Sequence, residues 1–386
     1  MQSALIFRGQ LLAPSETFVV EQAQALRRYN PILVGLRRAK PRLRHSLPEV
    51  LLRGGSNIMD KIAARAFLYA PLAPDYFRRL RTAEPSIVHA HFATDGVQAL
   101  SIADALDLPL IVSLHGYDVT PSDGHLSKSF SGRHYLSRRQ RLFARASAFI
   151  CVSQSIREAA LQAGFPEEKL RVHYTGVDCE RFKPVAVERD SNLILFVGRL
   201  VETKGCEYVL RAMALVQRED PKAHLEVIGD GPLRPALEAM AKQNSLRVSF
   251  LGVQDTHEVQ RRMSRARVLC NPSVTAEGFG MVFAEAQAVG TPVVSCMHSA
   301  IPEAVCHGET GLLCPERMYG PLAEALLRFL KDDNFWKQTS ARSVTWVREH
   351  FDIAKQTVKL EQLYDECRED YGRSPHLKGT RLYQDQ

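Results

Sequence analysis

The chain has 386 residues, 45% of them hydrophobic and 24% charged, which excludes a collagenous, low-complexity or globally disordered protein and is enough for two domains. Its net charge of +7 is unevenly spread, since residues 1–185 hold 25 Lys+Arg against 16 Asp+Glu while residues 186–386 hold 25 against 27. No apolar run approaches the roughly 18–20 residues of a membrane span, and the eight cysteines show neither a CxxC pair nor finger spacing, which argues against a zinc site or disulfide framework and for a cytoplasmic setting.

The apolar stretch over residues 1–9 lacks the charged start of a signal peptide and reads as a first strand. Short apolar runs recur at 31–36, 87–92, 110–115 and 148–153, with helical segments between several of them. Their length suits parallel strands covered on both faces. A second series occupies 192–197, 225–228, 248–251, 268–270 and 292–295, and the charged, Pro-containing stretch 181–190 separates the two. The expected fold is therefore α/β with two Rossmann-like domains: residues 1–183, a linker at 184–190, residues 191–350, and a C-terminal segment 351–386. In that last segment Leu360, Leu363 and Tyr364 have helical spacing, and the tail from Gly372 is polar and expected to be mobile.

Ligands of such sheets bind beyond the carboxyl ends of the strands, so the residues after each strand carry the functional reading. After Val197 come Arg199 and Lys204 on a Gly-edged turn entering a helix, two cations suited to a diphosphate. After Cys270, two glycines (Gly278 and Gly280) stand between a loop carboxylate, Glu277, and a helical one, Glu285. Glycines there admit a ligand to the backbone, and a helix opening near Gly280–Val282 offers free amides to an anion while the carboxylates accept from hydroxyls. After Leu114 comes His115-Gly116-Tyr117-Asp118, and His89 and His91 alternate along the strand before it. One of that pair is expected on each face, with His91 nearer the strand's end. Asp230, between two glycines, is read as support for its own turn.

These residues resemble the retaining GT-B glycosyltransferases of family 4. The EX7E pair Glu277 and Glu285, the Gly198-Arg199-Leu200 and Lys204-Gly205 run, Val227–Pro232, Gly290–Val294 and Gly308–Leu313 follow that family's order. The Ser15-Glu16-Thr17-Phe18-Val19 stretch, which also reads as a helix N-cap, together with His115–Asp118 and His298–Glu303, is most similar to the colanic-acid and exopolysaccharide subgroup. The first loop departs from the family in keeping only Gly9 of a usual Gly-Gly pair, which puts its donor-phosphate contacts in doubt.

The resemblance implies a nucleotide-diphosphate sugar as donor substrate, with Arg199 and Lys204 on the diphosphate and Glu285 on the ribose. Glu277 would lie by the transferred sugar, with the backbone of Gly278, Phe279, Gly280, Met281 and Val282 around sugar and phosphate. Gly252 and Val253 would flank the base, and His115 would face the sugar from the other domain. The same resemblance implies a C-terminal helix that crosses back to the first domain, and a front-face mechanism. No Asp-x-Asp motif occurs, so neither a metal nor another cofactor is expected. Two further readings stay open: a nucleotide-sugar 2-epimerase of the same architecture, and a non-catalytic nucleotide-sugar-binding protein.

The basic first half then acquires an expected partner. Arg27-Arg28, the cations of 37–44, Arg78-Arg79 with Arg81, and Arg138-Arg139 with Arg141 cluster there, accompanied by Leu43, Leu47, Val50, Leu51 and Leu52. They are read as a helix on the inner membrane face, where a polyprenyl-diphosphate-linked or other saccharide acceptor would be met. No nucleic-acid-binding motif accompanies the cations, so nucleic acid is not an expected partner.

Overall fold

The computed structural model describes residues 2–13, 16–40, 43–275 and 277–373. Ser15 of the first loop, Arg42 of the basic run and the tail after Arg373 lie outside the described residues. The chain divides into two compact units, Met1–Gly176 with Ile353–Gln386, and Val177–Asp352.

The first unit is built on a parallel sheet of β1 (Gln2–Leu11), β2 (Tyr29–Arg38), β3 (Glu49–Leu51), β4 (Pro85–His91), β5 (Leu110–Leu114), β6 (Ala148–Cys151) and β7 (Leu170–Val172), in the order β3-β2-β1-β4-β5-β6-β7. The second contains β8 (Asp190–Val197), β9 (His224–Ile228), β10 (Val248–Gly252), β11 (Ala266–Cys270), β12 (Val293–Cys296) and β13 (Gly311–Cys314), also parallel, in the order β10-β9-β8-β11-β12-β13. Every residue of β5, β6, β11 and β12 is buried, as expected for strands covered by helices on both faces. The order reverses between β1 and β4 and again between β8 and β11. At such a point the neighbouring loops leave in opposite directions and open a crevice.

The helix Ile353–Arg373 completes the first unit. Leu360, Tyr364 and Cys367 join Leu33, Ile87 and Ile111 in one buried cluster. The Glu361 carboxylate accepts from the amides of Arg27 and Arg28 at 2.6 and 2.7 Å, so an apolar face and a buried carboxylate both fix this helix to the sheet that begins the chain.

Two expectations fail. Residues 43–52 form no membrane-facing helix: Glu49–Leu51 is the edge strand β3, with Leu33 opposite Glu49 and Gly35 opposite Leu51. Leu51 is buried, and Leu43 and Leu47 pack against the core; the apolar residues cover a sheet edge. Nor is 184–190 the division between units, because the chain crosses at Gly176/Val177 and Asp352/Ile353. The Val177 amide donates to Phe351 O at 2.7 Å and Phe182 is buried, which makes these residues part of the second unit.

Candidate active site

In the second unit the loops after β8, β9 and β11 are bonded to one another. The Gly198 amide donates to Ile228 O and the Leu200 amide to Asp230 O, both at 2.9 Å. Gly229 permits this approach: its φ is +129°, and a Cβ there would stand 1.9 Å from Gly198 O. Asp230 accepts from the Gly231 amide at 2.7 Å and lies 3.4 Å from Arg234, the turn-supporting part expected of it. Across the reversal point, Asn271 Nδ2 donates to Val197 O at 2.9 Å and the Val274 amide to Thr203 O at 3.0 Å.

These bonds bring Lys204 and Glu277 together. Lys204 Nζ lies 2.9 and 2.7 Å from the two carboxylate oxygens of Glu277. The carboxylate also accepts from Ser273 Oγ at 2.9 Å, and Ser299 Oγ donates to the Glu277 carbonyl at 3.1 Å. An ammonium has three donor protons, so this pairing leaves one for another acceptor. Arg199, on the same loop as Lys204, is exposed.

Gly278 to Gly280 then lead into the helix Met281–Ala288, whose N-cap is Gly280 at φ +84°. A Cβ on Gly280 would meet the Phe283 ring at 2.4 Å, which explains glycine here. The Met281 and Val282 amides head the helix, outside its internal bonding ladder. Phe279 is buried with its ring 4.9 Å from that of Phe351, so its side chain is committed to packing. Glu285 is half-buried one turn into the helix. The β8–β11 reversal thus gathers Arg199, Lys204, Glu277, the 278–282 backbone and Glu285. Gly252 ends β10, the edge strand of the sheet, and its carbonyl accepts from the Gly229 amide at 2.8 Å, while Val253 after it is exposed.

In the first unit the strand ends carry imidazoles. His91 Nδ1 lies 3.0 Å from His115 Nε2, and the His89 ring stacks on His91 with centroids 4.6 Å apart. His89 and His91 therefore share one face, against expectation, because side chains two apart on a strand point the same way. His89 is structural: its Nδ1 lies 2.6 Å from Tyr364 Oη and its Nε2 2.7 Å from Ser113 Oγ. Burial pushes the pKa values of His89 and His115 down to about 3 and that of His91 well below its ordinary value. All three rings are neutral near pH 7, and a single proton lies between His91 and His115.

Asp118 ties this corner together. It accepts from the amides of Ala93, His115 and Gly116 at 2.8, 3.1 and 3.0 Å, and burial pushes its carboxyl up to about 6 although those bonds pull the other way. Phe92, just before the helix Ala93–Leu106, has φ 73° and ψ 140°, a strained conformation for an aromatic residue. Its amide donates to Ser113 O at 2.7 Å, and its carbonyl accepts from the amides of Asp95 and Gly96 at 3.0 and 2.9 Å. The ring so held lies 4.7 Å from His115 and 4.3 Å beneath the Arg8 guanidinium. Arg8 is itself ion-paired with Asp95 and Glu16. Phe92, Arg8 and Asp95 were invisible as site residues in the sequence; the spacing of Arg8 and Glu16 around one loop was the available signal, and nothing local marks Phe92.

Among the described residues no three His, Cys, Asp or Glu side chains form a metal-binding group, and no helix is long and apolar enough to cross a membrane.

Residues 15–181 match the family model described as Glycosyltransferase Family 4, and residues 179–344 the one described as Glycosyl transferases group 1. The chain belongs to the family 4 glycosyltransferases of the GT-B fold. It is 31% identical over 255 residues to the putative colanic acid biosynthesis glycosyltransferase WcaL of Escherichia coli K12, a match over 63% of this chain and 61% of that protein. It is 30% identical over 271 residues to the amylovoran biosynthesis glycosyltransferase AmsK of Erwinia amylovora, over 67% of this chain and 62% of that one. The matches thus span about three-fifths of these relatives' length. In fold it is similar to Anabaena HepE, solved with UDP and glucose, with a TM-score of 0.77 at 19% identity, covering 95% of this chain and 100% of that one. In this family 4 chain the group 1 match contains the Lys204–Glu277 crevice and the family 4 match contains His115.

Proposed function

We propose that the protein is a retaining glycosyltransferase that moves a hexosyl unit from a UDP- or GDP-sugar to a saccharide or polyprenyl-diphosphate-linked acceptor in exopolysaccharide assembly. The observation that carries this reading is the Lys204–Glu277 pair at the β8–β11 reversal, beside the glycine-capped helix at Met281. A nucleoside-diphosphate sugar offers phosphate charge to the cation and helix amides and hydroxyls to the carboxylate. That HepE was solved with UDP and glucose, and that WcaL and AmsK are named for colanic acid and amylovoran biosynthesis, supports the same donor and product classes here.

In this reading the bond between the anomeric carbon and the donor phosphate oxygen breaks, and its electron pair leaves with the diphosphate. Arg199, the remaining Lys204 proton and the Met281 and Val282 amides meet that growing charge, with no metal cofactor. The acceptor oxygen bonds the anomeric carbon on the face the phosphate leaves, and its proton passes to the departing phosphate oxygen, so configuration is retained without a covalent intermediate. Glu277 accepts from hydroxyls of the transferred sugar, Glu285 from the ribose, and Gly252 and Val253 flank the base. His115, being neutral, orients the sugar by hydrogen bonding and not by charge.

The protein is further proposed to act on the cytoplasmic face of the membrane, with its basic unit against anionic lipid. The helix Ile58–Tyr69 replaces 43–52 as the contacting element. Its Ile58, Met59 and Ile62 are 67%, 66% and 52% exposed, an apolar stripe on a basic unit that an anionic leaflet accommodates.

Thermal-shift measurements with UDP-, GDP- and ADP-sugars test the donor reading. Selective stabilisation by one base is expected, and no stabilisation by any of them would overturn it. Incubation with donor alone separates transfer from 2-epimerisation, because an epimerase converts the donor without an acceptor.

A further inference from the structure

The first unit holds a cavity of about 510 Å³ over the β1–β4 reversal. The ends of β1 and β2, the helix Ile58–Tyr69 and the start of the helix Phe130–Arg145 wall it. Its charges are unbalanced in an informative way. Both of its carboxylates, Glu16 and Asp95, are engaged by the half-buried Arg8. The other three lining cations, Arg37, Lys61 and Arg65, have no carboxylate at ion-pair distance among the described residues.

Elsewhere in the unit Arg38 pairs with Glu49, and Arg141 and Arg145 share Asp104; what distinguishes Arg37, Lys61 and Arg65 is that they line one cavity together. Arg37 is half-buried, and burial together with the nearby Arg65 charge lowers its pKa, against a smaller opposing pull from Asp95. A desolvated cation facing a second one is unfavourable unless an anion joins them. Arg65 is steadied by stacking, its guanidinium 4.8 Å from the Phe130 ring centroid, which orients the planar fork of donors toward oxyanion recognition. Tyr117, 65% exposed, adds an aromatic face to the lining. Phe92 lines the same cavity and touches His115 on its other side.

We infer that this cavity is the acceptor subsite and that it selects acceptors carrying an oxyanion, a phosphate or carboxylate at the accepting sugar, held by Arg37, Lys61 and Arg65. The inference rests on the glycosyl-transfer reading above and adds to it the charge of the acceptor. Neutral saccharides lack the group these three cations require.

Calorimetric titration of the full chain with inorganic pyrophosphate, glucuronate and neutral glucose tests it. Wild type is compared with Lys61→Gln/Arg65→Gln, whose residues are exposed, and with Arg37→Gln. Pyrophosphate can also meet Arg199 and Lys204, so the readout is the difference between wild type and variant. Wild type is expected to bind at least one of the two anions, and each variant to bind it about tenfold or more weakly. Variant-sensitive binding of pyrophosphate alone identifies a phosphate-bearing acceptor; variant-sensitive binding of glucuronate alone identifies an acidic sugar. Failure of both anions to bind, or equal binding by the Lys61→Gln/Arg65→Gln variant, overturns the inference. A parallel UDP-sugar thermal shift keeps the two readings apart: loss of anion binding with the shift intact removes this inference only, whereas absence of the shift with anion binding intact removes the transfer reading and with it the acceptor role, leaving an anion site.

Discussion

The two units share a topology and concentrate their polar groups at the same point of it, yet they set charge in opposite ways. At the β8–β11 reversal a cation and a carboxylate stay partly exposed, Lys204 at 23% and Glu277 at 17%, and bond to each other. At the ends of β4 and β5 the functional groups are imidazoles, His91 buried and His115 half-buried, held neutral by desolvation. Strand order decides where a crevice opens; depth of burial decides whether it works by charge or by neutral hydrogen bonding. The contrast makes the second unit the one suited to a diphosphate, and gives the first two parts, a neutral corner at His115 and a charged cavity beside it.

The contrast breaks most visibly at the ion pair. Lys204→Ala or Glu277→Ala is expected to lower turnover about a hundredfold or more, with circular dichroism and melting showing a folded chain. Near-normal turnover in either variant would remove the donor-site role. The two losses should not add in the double variant, because each group is the other's partner and either single change leaves an unpaired charge behind.

A smaller effect is expected at the neutral corner. His115→Ala should lower turnover by about tenfold to a hundredfold, the range for losing one well-placed hydrogen-bonding group. With its pKa near 3, the ring is uncharged throughout, so wild-type kcat should show no step from His115 between about pH 6 and 8. A step near pH 6.5 that disappears in His115→Ala would show the ring charging and would erase the distinction between the units.

The proposed membrane face sharpens the comparison further, since only the first unit carries the basic excess. Flotation with vesicles containing anionic lipid should carry the protein at low salt and fade as salt rises, at about 1 kcal/mol per engaged cation. Replacing Ile58, Met59 and Ile62 by Ser should weaken flotation several-fold while donor binding is unchanged. No flotation at low salt would remove the membrane reading.

Much of this was legible before the fold. Strands of five or more residues with Val, Ile, Leu and Phe announce buried parallel strands, and β2, β5, β8 and β9 all stand where those runs predict. The strands β3, β7 and β13 lack the adjacent β-branched or aromatic residues that mark the similarly short β6 and β12, so periodicity does not distinguish them from loop, and the apolar residues of the first read as membrane-facing helix. His115 was legible because it follows a strand directly, and Lys204 and Glu277 because they lie in glycine-bearing loops that follow strands and lead into helices. The pairing of Lys204 with Glu277 was not, since it depends on Val274 and Asn271 bonding across to the β8 loop. Phe92 was hidden for the same kind of reason: its positive φ is imposed by bonds to Ser113 and Gly96, neither of which is a sequence neighbour with a local signature.

The smallest expected effect concerns stability, and it comes from the same buried rings. Between about pH 6.5, where an unfolded histidine titrates, and about pH 3, where folded His89 does, the unfolded chain holds the extra proton. Stability therefore rises with pH across that window and is lost on acidification, at up to roughly 1.4 kcal/mol per pH unit for a fully shifted group. His91 and His115 act in the same direction. Asp118, raised to about 6, holds a proton in the folded state below about pH 6 and opposes them, and Asp95, also raised by burial, acts with it; His134 and His173, lowered by burial, add to the side of the three rings. Urea unfolding should thus show declining stability from pH 7 to about pH 4.5. Replacing His89 with Asn removes one of the three while leaving His91 and His115 in place, and the decline should become shallower even if stability at neutral pH falls through loss of the Tyr364 and Ser113 bonds. An unchanged slope would mean that His89 charges in the folded state, and that burial does not keep this face of the sheet neutral.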